Sequence, residues 1–299
     1  MNKKTAPAHP GEQAPENSSS CTESRNTREA ESTPLRHRQQ TPEDADGFPE
    51  IEIIYQDEHL IVVNKPPLIH VHATRLSRGE TSLQNILENQ LETTLFPIHR
   101  LDRPACGLLV MAKTQKAASV MGSEMRNREN FSKKYIALVR GYMEGQGVIE
   151  RPLRQAPGKP EREAVTHWRS LATAEAPWSD GVFPSSRYSL VECTLESGRF
   201  HQIRRHLSIA SHPIIGDVSH GDNKRNRIWL ANTGIKGLFL QACKLAFTHP
   251  VSRKYLSFTA PPDTKFIKAA EILGWEADGC EADGWKADGL EATDRMADG

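Results

Sequence analysis

The sequence predicts an α+β fold, and three observations carry that prediction. Short apolar runs bounded by turn residues recur along the chain as strands do. Windows with apolar residues at helical spacing are scattered between those runs rather than alternating strictly with them. A stretch of about 224 residues, 51–274, is long enough to bury a core between two polar ends.

Residues 51–55 and 60–63 are apolar and flank the polar turn Gln56-Asp57-Glu58-His59, a hairpin pattern. Asn64-Lys65-Pro66-Pro67 then breaks the strand. Leu83, Ile86, Leu87 and Leu91 mark a helix, with Thr81 or Ser82 as N-cap. The run after Gly107, ending at Lys113, has the length and apolarity of a buried strand. Thr114 can cap a second helix whose apolar face carries Ala117, Met121 and Met125. Residues 135–139 form the next strand, ended by Gly141, and 141–163 read as a loop excursion. Strands follow over 165–171 and 187–195. Residues 201–210 read as a helix with Ile203, Leu207 and Ala210 on one face and Arg204 beside that stripe, at a cleft edge. Two more strands, 238–247 and 254–259, precede a closing helix over 266–273. Periodicity sets no strand order.

The ends differ in kind. Residues 1–50 are rich in Pro, Ser, Glu, Gln and Asn, and are expected to form a disordered polar tail. Residues 275–299 repeat a Trp/Cys-Glu/Lys-Ala-Asp-Gly pentapeptide, whose period matches neither helix nor strand, and are expected to form a solvated acidic tail. The chain is formally neutral, with 38 basic and 38 acidic side chains. The N-terminal segment holds 6 and 9 of these and the C-terminal one 2 and 8, which leaves 30 basic and 21 acidic in the core. A basic core suits a polyanionic partner, nucleic acid first.

Five cysteines lie scattered without a C-x-x-C pair, which speaks against a zinc site or disulfide framework and fits a reducing cytoplasm. The N-terminus lacks a signal-peptide apolar region, and no apolar run approaches the roughly 18 residues that cross a bilayer. Nucleotide-binding glycine loops and the H-E-x-x-H metal motif are missing, so chemistry without a cofactor is expected. His70 and His72 lack a matching ligand pair, and His201 and His206, five apart, do not share a helix face. Both of the latter are read as RNA-contacting or structural.

The richest stretch is His99-Arg100-Leu101-Asp102-Arg103-Pro104-Ala105-Cys106-Gly107-Leu108-Leu109-Val110-Met111-Ala112-Lys113. It sets Asp102 in the loop entering a buried strand, between Arg100 and Arg103, which favour its charged form. Such an acid can serve as nucleophile or base; Arg-Leu-Asp-Arg alone is more often a surface ion pair. The whole string resembles the motif around the catalytic aspartate of the RluA-type pseudouridine synthases, His-Arg-Leu-Asp-Arg-x-Thr/Ser-Ser-Gly-Leu-Leu. Ala105-Cys106 departs from it where the family carries small hydroxylated residues. Asn64-Lys65-Pro66, the strand Lys133-Lys134-Tyr135-Ile136-Ala137-Leu138-Val139-Arg140-Gly141, and the block Gly198-Arg199-Phe200-His201-Gln202-Ile203-Arg204-Arg205-His206-Leu207 with His212-Pro213-Ile214-Ile215-Gly216-Asp217 resemble the same family in the same order.

The resemblance implies a mixed, mainly antiparallel sheet with flanking helices. It also implies an isomerase that flips a uridine out of RNA, breaks N1–C1′ and forms C5–C1′ without a cofactor. Asp102 would act on the ribose or the base, or remove the C2′ proton. Tyr135 would stack on the extruded base, and Arg204 would pair with Asp102. Arg100, Arg103 and His201 would contact RNA, and Lys224, Arg225 and Arg227 would form a further phosphate-binding cluster, unless they are merely a surface loop. Residues 166–173, 188–192 and 219–227 are similar to the tRNA-modifying branch that acts at tRNA position 65. The alternatives are the same chemistry on ribosomal RNA, or a non-catalytic RNA-binding or RNA-folding protein. Asp102, Tyr135 and Arg204 together speak for catalysis.

Overall fold

The computed structural model describes residues 50–73, 81–127, 130–156 and 158–275, all within the unit Glu43–Gly299. The chain enters through the hairpin β1 (Ile53–Gln56) and β2 (Leu60–Lys65). Asp57 closes its turn by accepting the backbone N–H groups of His59 and Leu60 at 2.7 and 2.8 Å. Helix α1 (Leu83–Leu91) starts at Ser82, whose Oγ accepts the Asn85 N–H at 3.2 Å. After the two-residue β3 (Phe96–Pro97) comes β4 (Cys106–Ala112), buried along its whole length. Thr114 accepts the Ala117 N–H at the start of α2 (Gln115–Asn127). Then follow β5 (Phe131–Arg140), β6 (Gln146–Glu150), β7 (Leu153–Arg154), β8 (Glu161–Arg162), β9 (Val165–Ala176) and β10 (Ser186–Leu195). The chain continues through α3 (Gln202–Ile209), α4 (Asn223–Thr233), β11 (Leu240–Thr248), β12 (Tyr255–Thr259) and α5 (Thr264–Leu273).

Ten strands form one sheet in the order β1-β2-β4-β11-β5-β10-β9-β6, with β12 on β11 and β3 on β4. Every pairing is antiparallel except β4 with β11. The expected mixed, mainly antiparallel sheet with flanking helices is the observed one. Two-residue periodicity divides the core between the faces. Ile61, Val63, Leu109 and Met111 join one apolar cluster with Trp229, Phe239 and Phe266, while Leu60, Val62, Leu108 and Val110 join another with Met121 and Phe247.

The parallel β4–β11 contact sets the position of the Asp102 loop. Gly107, at φ 108°, meets Ala242 there, and a Cβ at this point would lie 2.2 Å from the Ala242 carbonyl oxygen. Only glycine allows both that φ and that approach.

Three sequence expectations need correction. Residues 141–163 are not one loop: β6 pairs with the edge of β9, and β7 pairs with β8. β6 carries Gln146 and Glu150 on a largely exposed edge, so it lacks a buried strand's apolar run. Helix α4 was not expected, because Ile228-Trp229-Leu230 are adjacent rather than helically spaced, and only Trp229 is buried. Its ends explain it: the Asp222 carboxylate accepts the Lys224 and Arg225 N–H groups, and Gly234 caps the C-terminus in the left-handed region. The packed region also reaches past 274. Trp275 packs against the core, and its Nε1 donates to the Thr173 carbonyl at 3.0 Å. The rest of both expected tails, 1–49 and 276–299, lies outside the described residues. Among the described residues no helix is long and apolar enough to cross a membrane.

Candidate active site

A cavity of about 710 Å³ opens where the β3–β4 loop, β5, the end of β10 and the start of α3 converge. Asp102, Tyr135 and Arg204 all line it. The loop holding Asp102 is fixed from below by Lys65 at the end of β2, whose side chain is wholly buried. Its ammonium donates to the carbonyls of Pro66, Arg103 and Ala105 at 2.8, 3.3 and 2.8 Å. Burial draws the Lys65 pKa down to about 8, although Cys106 and Asp102 nearby oppose the shift. The Leu68 N–H adds a bond to the Arg103 carbonyl at 2.7 Å. A rigid loop therefore presents the Asp102 carboxylate, 21% exposed, to the cavity.

Arg204 sits in the first turns of α3, almost fully buried, and bridges two acids. Its Nη1 donates to Asp102 Oδ2 at 3.2 Å. Its Nε and Nη2 donate as a fork to the two carboxylate oxygens of Asp217, at 2.7 and 2.8 Å. Asp217 is also buried and accepts the backbone N–H groups of Ser219 and His220 through Oδ1. Burial alone would raise the Asp217 pKa; the Arg204 bonds and these N–H donors outweigh it and hold the carboxyl below its ordinary range. Burial likewise opposes the Arg204 charge, but its two carboxylate partners leave the guanidinium above its ordinary value.

Tyr135 lies on β5, buried, facing the same cavity. Desolvation and the Asp102 charge push its phenol up, so it is a neutral ring with a hydroxyl at pH 7. His201 stands at the N-cap of α3 in the left-handed region, φ 53°, with Nε2 3.9 Å from Asp102 Oδ1. Its Nδ1 shares a 2.9 Å hydrogen bond with Nε2 of His220. Burial lowers its pKa to about 4 against the pull of Asp102, which leaves it neutral at pH 7. Lys133 also lines the cavity, and burial lowers its pKa to about 8.

The structure sorts the other expected residues. Arg100 lines the cavity, with its guanidinium over the ring of Phe200. Arg103 does not line it and contributes the backbone carbonyl already described. Lys224, Arg225 and Arg227 lie on α4, not on a surface loop, and none lines the cavity. Arg225 is ion-paired to buried Asp180 and is itself only 13% exposed, so it is not the open phosphate contact expected of it. Lys224 and Arg227 are exposed. His206 is structural: buried, it bonds to Thr166 Oγ1 and the Arg151 carbonyl. Burial pushes the Cys106 thiol up, which disfavours a thiolate there.

Sequence reasoning gave no role to Asp217, Lys65 or His220. An acid closing the string His-Pro-Ile-Ile-Gly-Asp was the available signal for the first. Gly216 before it, at φ 78°, approaches the Gly237 carbonyl too closely for any side chain, so the turn that aims Asp217 depends on that glycine.

The family model for RNA pseudouridylate synthase matches residues 59–209, which contain Asp102, Tyr135 and Arg204. The chain belongs to the RNA pseudouridylate synthase family. This synthase is 38% identical over 237 residues to tRNA pseudouridine synthase C of Pasteurella multocida, covering 76% of this chain and 97% of that protein. It is 37% identical over 238 residues to the synthase C of Vibrio parahaemolyticus, covering 76% and 96%. Among solved structures, human RNA pseudouridylate synthase domain containing 4 aligns with a TM-score of 0.56 and 25% identity, over 75% of this chain and 93% of that one. The synthase is thus an isomerase acting on RNA uridine.

Proposed function

We propose that this synthase converts uridine in tRNA to pseudouridine, at tRNA position 65, with Asp102 as the catalytic residue. One observation carries the mechanistic reading. A carboxylate enters a cavity of nucleotide-binding size from a fixed loop, held by a buried arginine that a second buried acid locks in place. The extent of the match to relatives named tRNA pseudouridine synthase C supports tRNA as substrate.

The reaction moves one hydrogen and exchanges one bond. N1–C1′ breaks, the uracil turns within the cavity, C5–C1′ forms, and the C5 proton is lost as N1 gains one. Substrate and product are isomers, so the atoms balance with no co-reactant. Asp102 supplies the attack on ribose or base, or removes the C2′ proton. Arg204 holds the carboxylate in place through its Nη1 hydrogen bond, and Tyr135 gives the extruded uracil an aromatic face. Residues 51–275 form the catalytic domain on this reading, and both ends lie outside the chemistry. Incubation with a tRNA transcript, followed by mapping of pseudouridine along it, tests the proposal. Pseudouridine at position 65 is expected; pseudouridine formed in ribosomal RNA alone would overturn the tRNA assignment.

A further inference from the structure

Phe200 is out of place for an apolar side chain. It is 41% exposed, belongs to neither apolar core cluster, and stands among cavity-lining residues rich in charge. Its ring is nonetheless ordered by two neighbours. His201 stacks on it with centroids 3.7 Å apart and planes 21° from parallel, and the Arg100 guanidinium carbon stands over the ring 5.7 Å from its centroid. His201 in turn faces Asp102. The series Asp102, His201, Phe200, Arg100 therefore leads outward from the catalytic carboxylate.

We propose that Phe200, with Arg100, forms a stacking subsite for the nucleobase that flanks the target uridine. The inference rests on the reading of this cavity as a uridine-isomerising site. Extruding a uridine leaves its neighbour unstacked on one side, at a cost of unpairing and unstacking. An exposed aromatic ring beside a guanidinium is the surface on which an unstacked RNA base settles, since every base has a π-face. The target uracil itself goes deeper, to Tyr135 and Asp102. The half-exposed Phe200 ring and the Arg100 guanidinium, at the outer end of the series, then offset the flipping cost by replacing the lost stacking. The left-handed conformation of His201 turns the chain between Phe200 and α3, so the ring stays outside the core while Arg204, four residues later, is buried.

The test uses the full chain and kinetics on tRNA after its target uridine has been mapped. Phe200→Leu keeps the apolar bulk and removes the π-face; Phe200→Trp restores it. Phe200→Leu is expected to raise KM about tenfold with little change in kcat, and Phe200→Trp to recover most of that loss. An abasic nucleotide on the stacked side should cost the wild type the same factor and cost Phe200→Leu nothing further. An unchanged KM in Phe200→Leu overturns the proposal. So does an equal added loss on abasic substrates at both flanks, or a fall in kcat alone, which would mark Phe200 as a prop for His201. A second readout needs no turnover: single-stranded RNA carrying 2-aminopurine should be quenched by the wild type and by Phe200→Trp but not by Phe200→Leu. Phe200-dependent quenching without any pseudouridine formed would refute the isomerase reading and leave the subsite standing. Pseudouridine formed with quenching independent of Phe200 would do the reverse.

Discussion

Asp217→Asn should damage the synthase without touching any group at the reacting atoms. Arg204 is 3% exposed and Asp217 1% exposed, and two short bonds at 2.7 and 2.8 Å join them. Breaking a buried pair by neutralising one partner costs about 3–5 kcal/mol. Asparagine keeps the shape and one acceptor, which places the expected loss near the lower end, about 3 kcal/mol. A folded region of this size loses about 2–4 °C of melting temperature per kcal/mol, so Tm should fall by about 6–12 °C at pH 7. The effect has a pH signature. Asp217 is held below its ordinary value in the fold, so its contribution is present above the unfolded carboxylate pKa and lost as pH falls through the lower folded value. The gap between wild type and variant should therefore narrow as pH drops below about 4. Thermal unfolding followed by circular dichroism at pH 7 and at stepwise lower pH reads both effects. A Tm within 2 °C of wild type, or a gap unchanged down to the acid limit of folding, would refute the reasoning.

Arg204→Ala strands two acids and should cost about 3–5 kcal/mol and most activity, and Arg204→Lys should rescue poorly because the fork to Asp217 is lost; denaturant unfolding and turnover assays check both. Lys65→Met leaves two carbonyls of the Asp102 loop, Arg103 and Ala105, and that of Pro66 without their donor and should cost at least about 3 kcal/mol, with kcat falling more than tRNA affinity, measured by urea titration and single-turnover kinetics. A chain trimmed to 49–275 should fold, isomerise uridine, and bind tRNA at least as tightly as the full chain at low salt, because trimming removes more acidic than basic residues. That difference should shrink toward 1 M salt, where the Debye length falls to about 3 Å, and filter binding across a salt series measures it.

Much of this was legible in the sequence because the signals are local. The strand at β4 is a continuous apolar run, α1 and α2 carry apolar residues at helical spacing with hydroxyl caps, and Asp102 is singled out by the resemblance of the whole string around it rather than by Arg-Leu-Asp-Arg alone. The Asp102–Arg204 pair joins positions 102 residues apart, and only the resemblance connected them. What stayed hidden depends on tertiary contact. Asp217 looks like an ordinary turn acid until Arg204 is packed against it. Lys65 looks solvated until the fold buries it and sets its ammonium on the carbonyls of Pro66, Arg103 and Ala105. Arg225 looked like an open phosphate contact because Asp180, its partner, lies 45 residues earlier in a loop with no regular pattern. Helix α4 rests on its caps and on Trp229, not on an apolar stripe.

The central claim is that Asp102 performs the isomerisation, and Asp102→Asn tests it most directly. The substitution keeps the size of the side chain and an acceptor for Arg204 at the cavity edge. Pseudouridine formed in a tRNA transcript is measured over time for wild type and variant, alongside melting temperature and tRNA affinity. The account predicts near-wild-type folding and binding with a rate at least ~10³-fold lower, about 4 kcal/mol of transition-state stabilisation. Turnover by Asp102→Asn at the wild-type rate would contradict it.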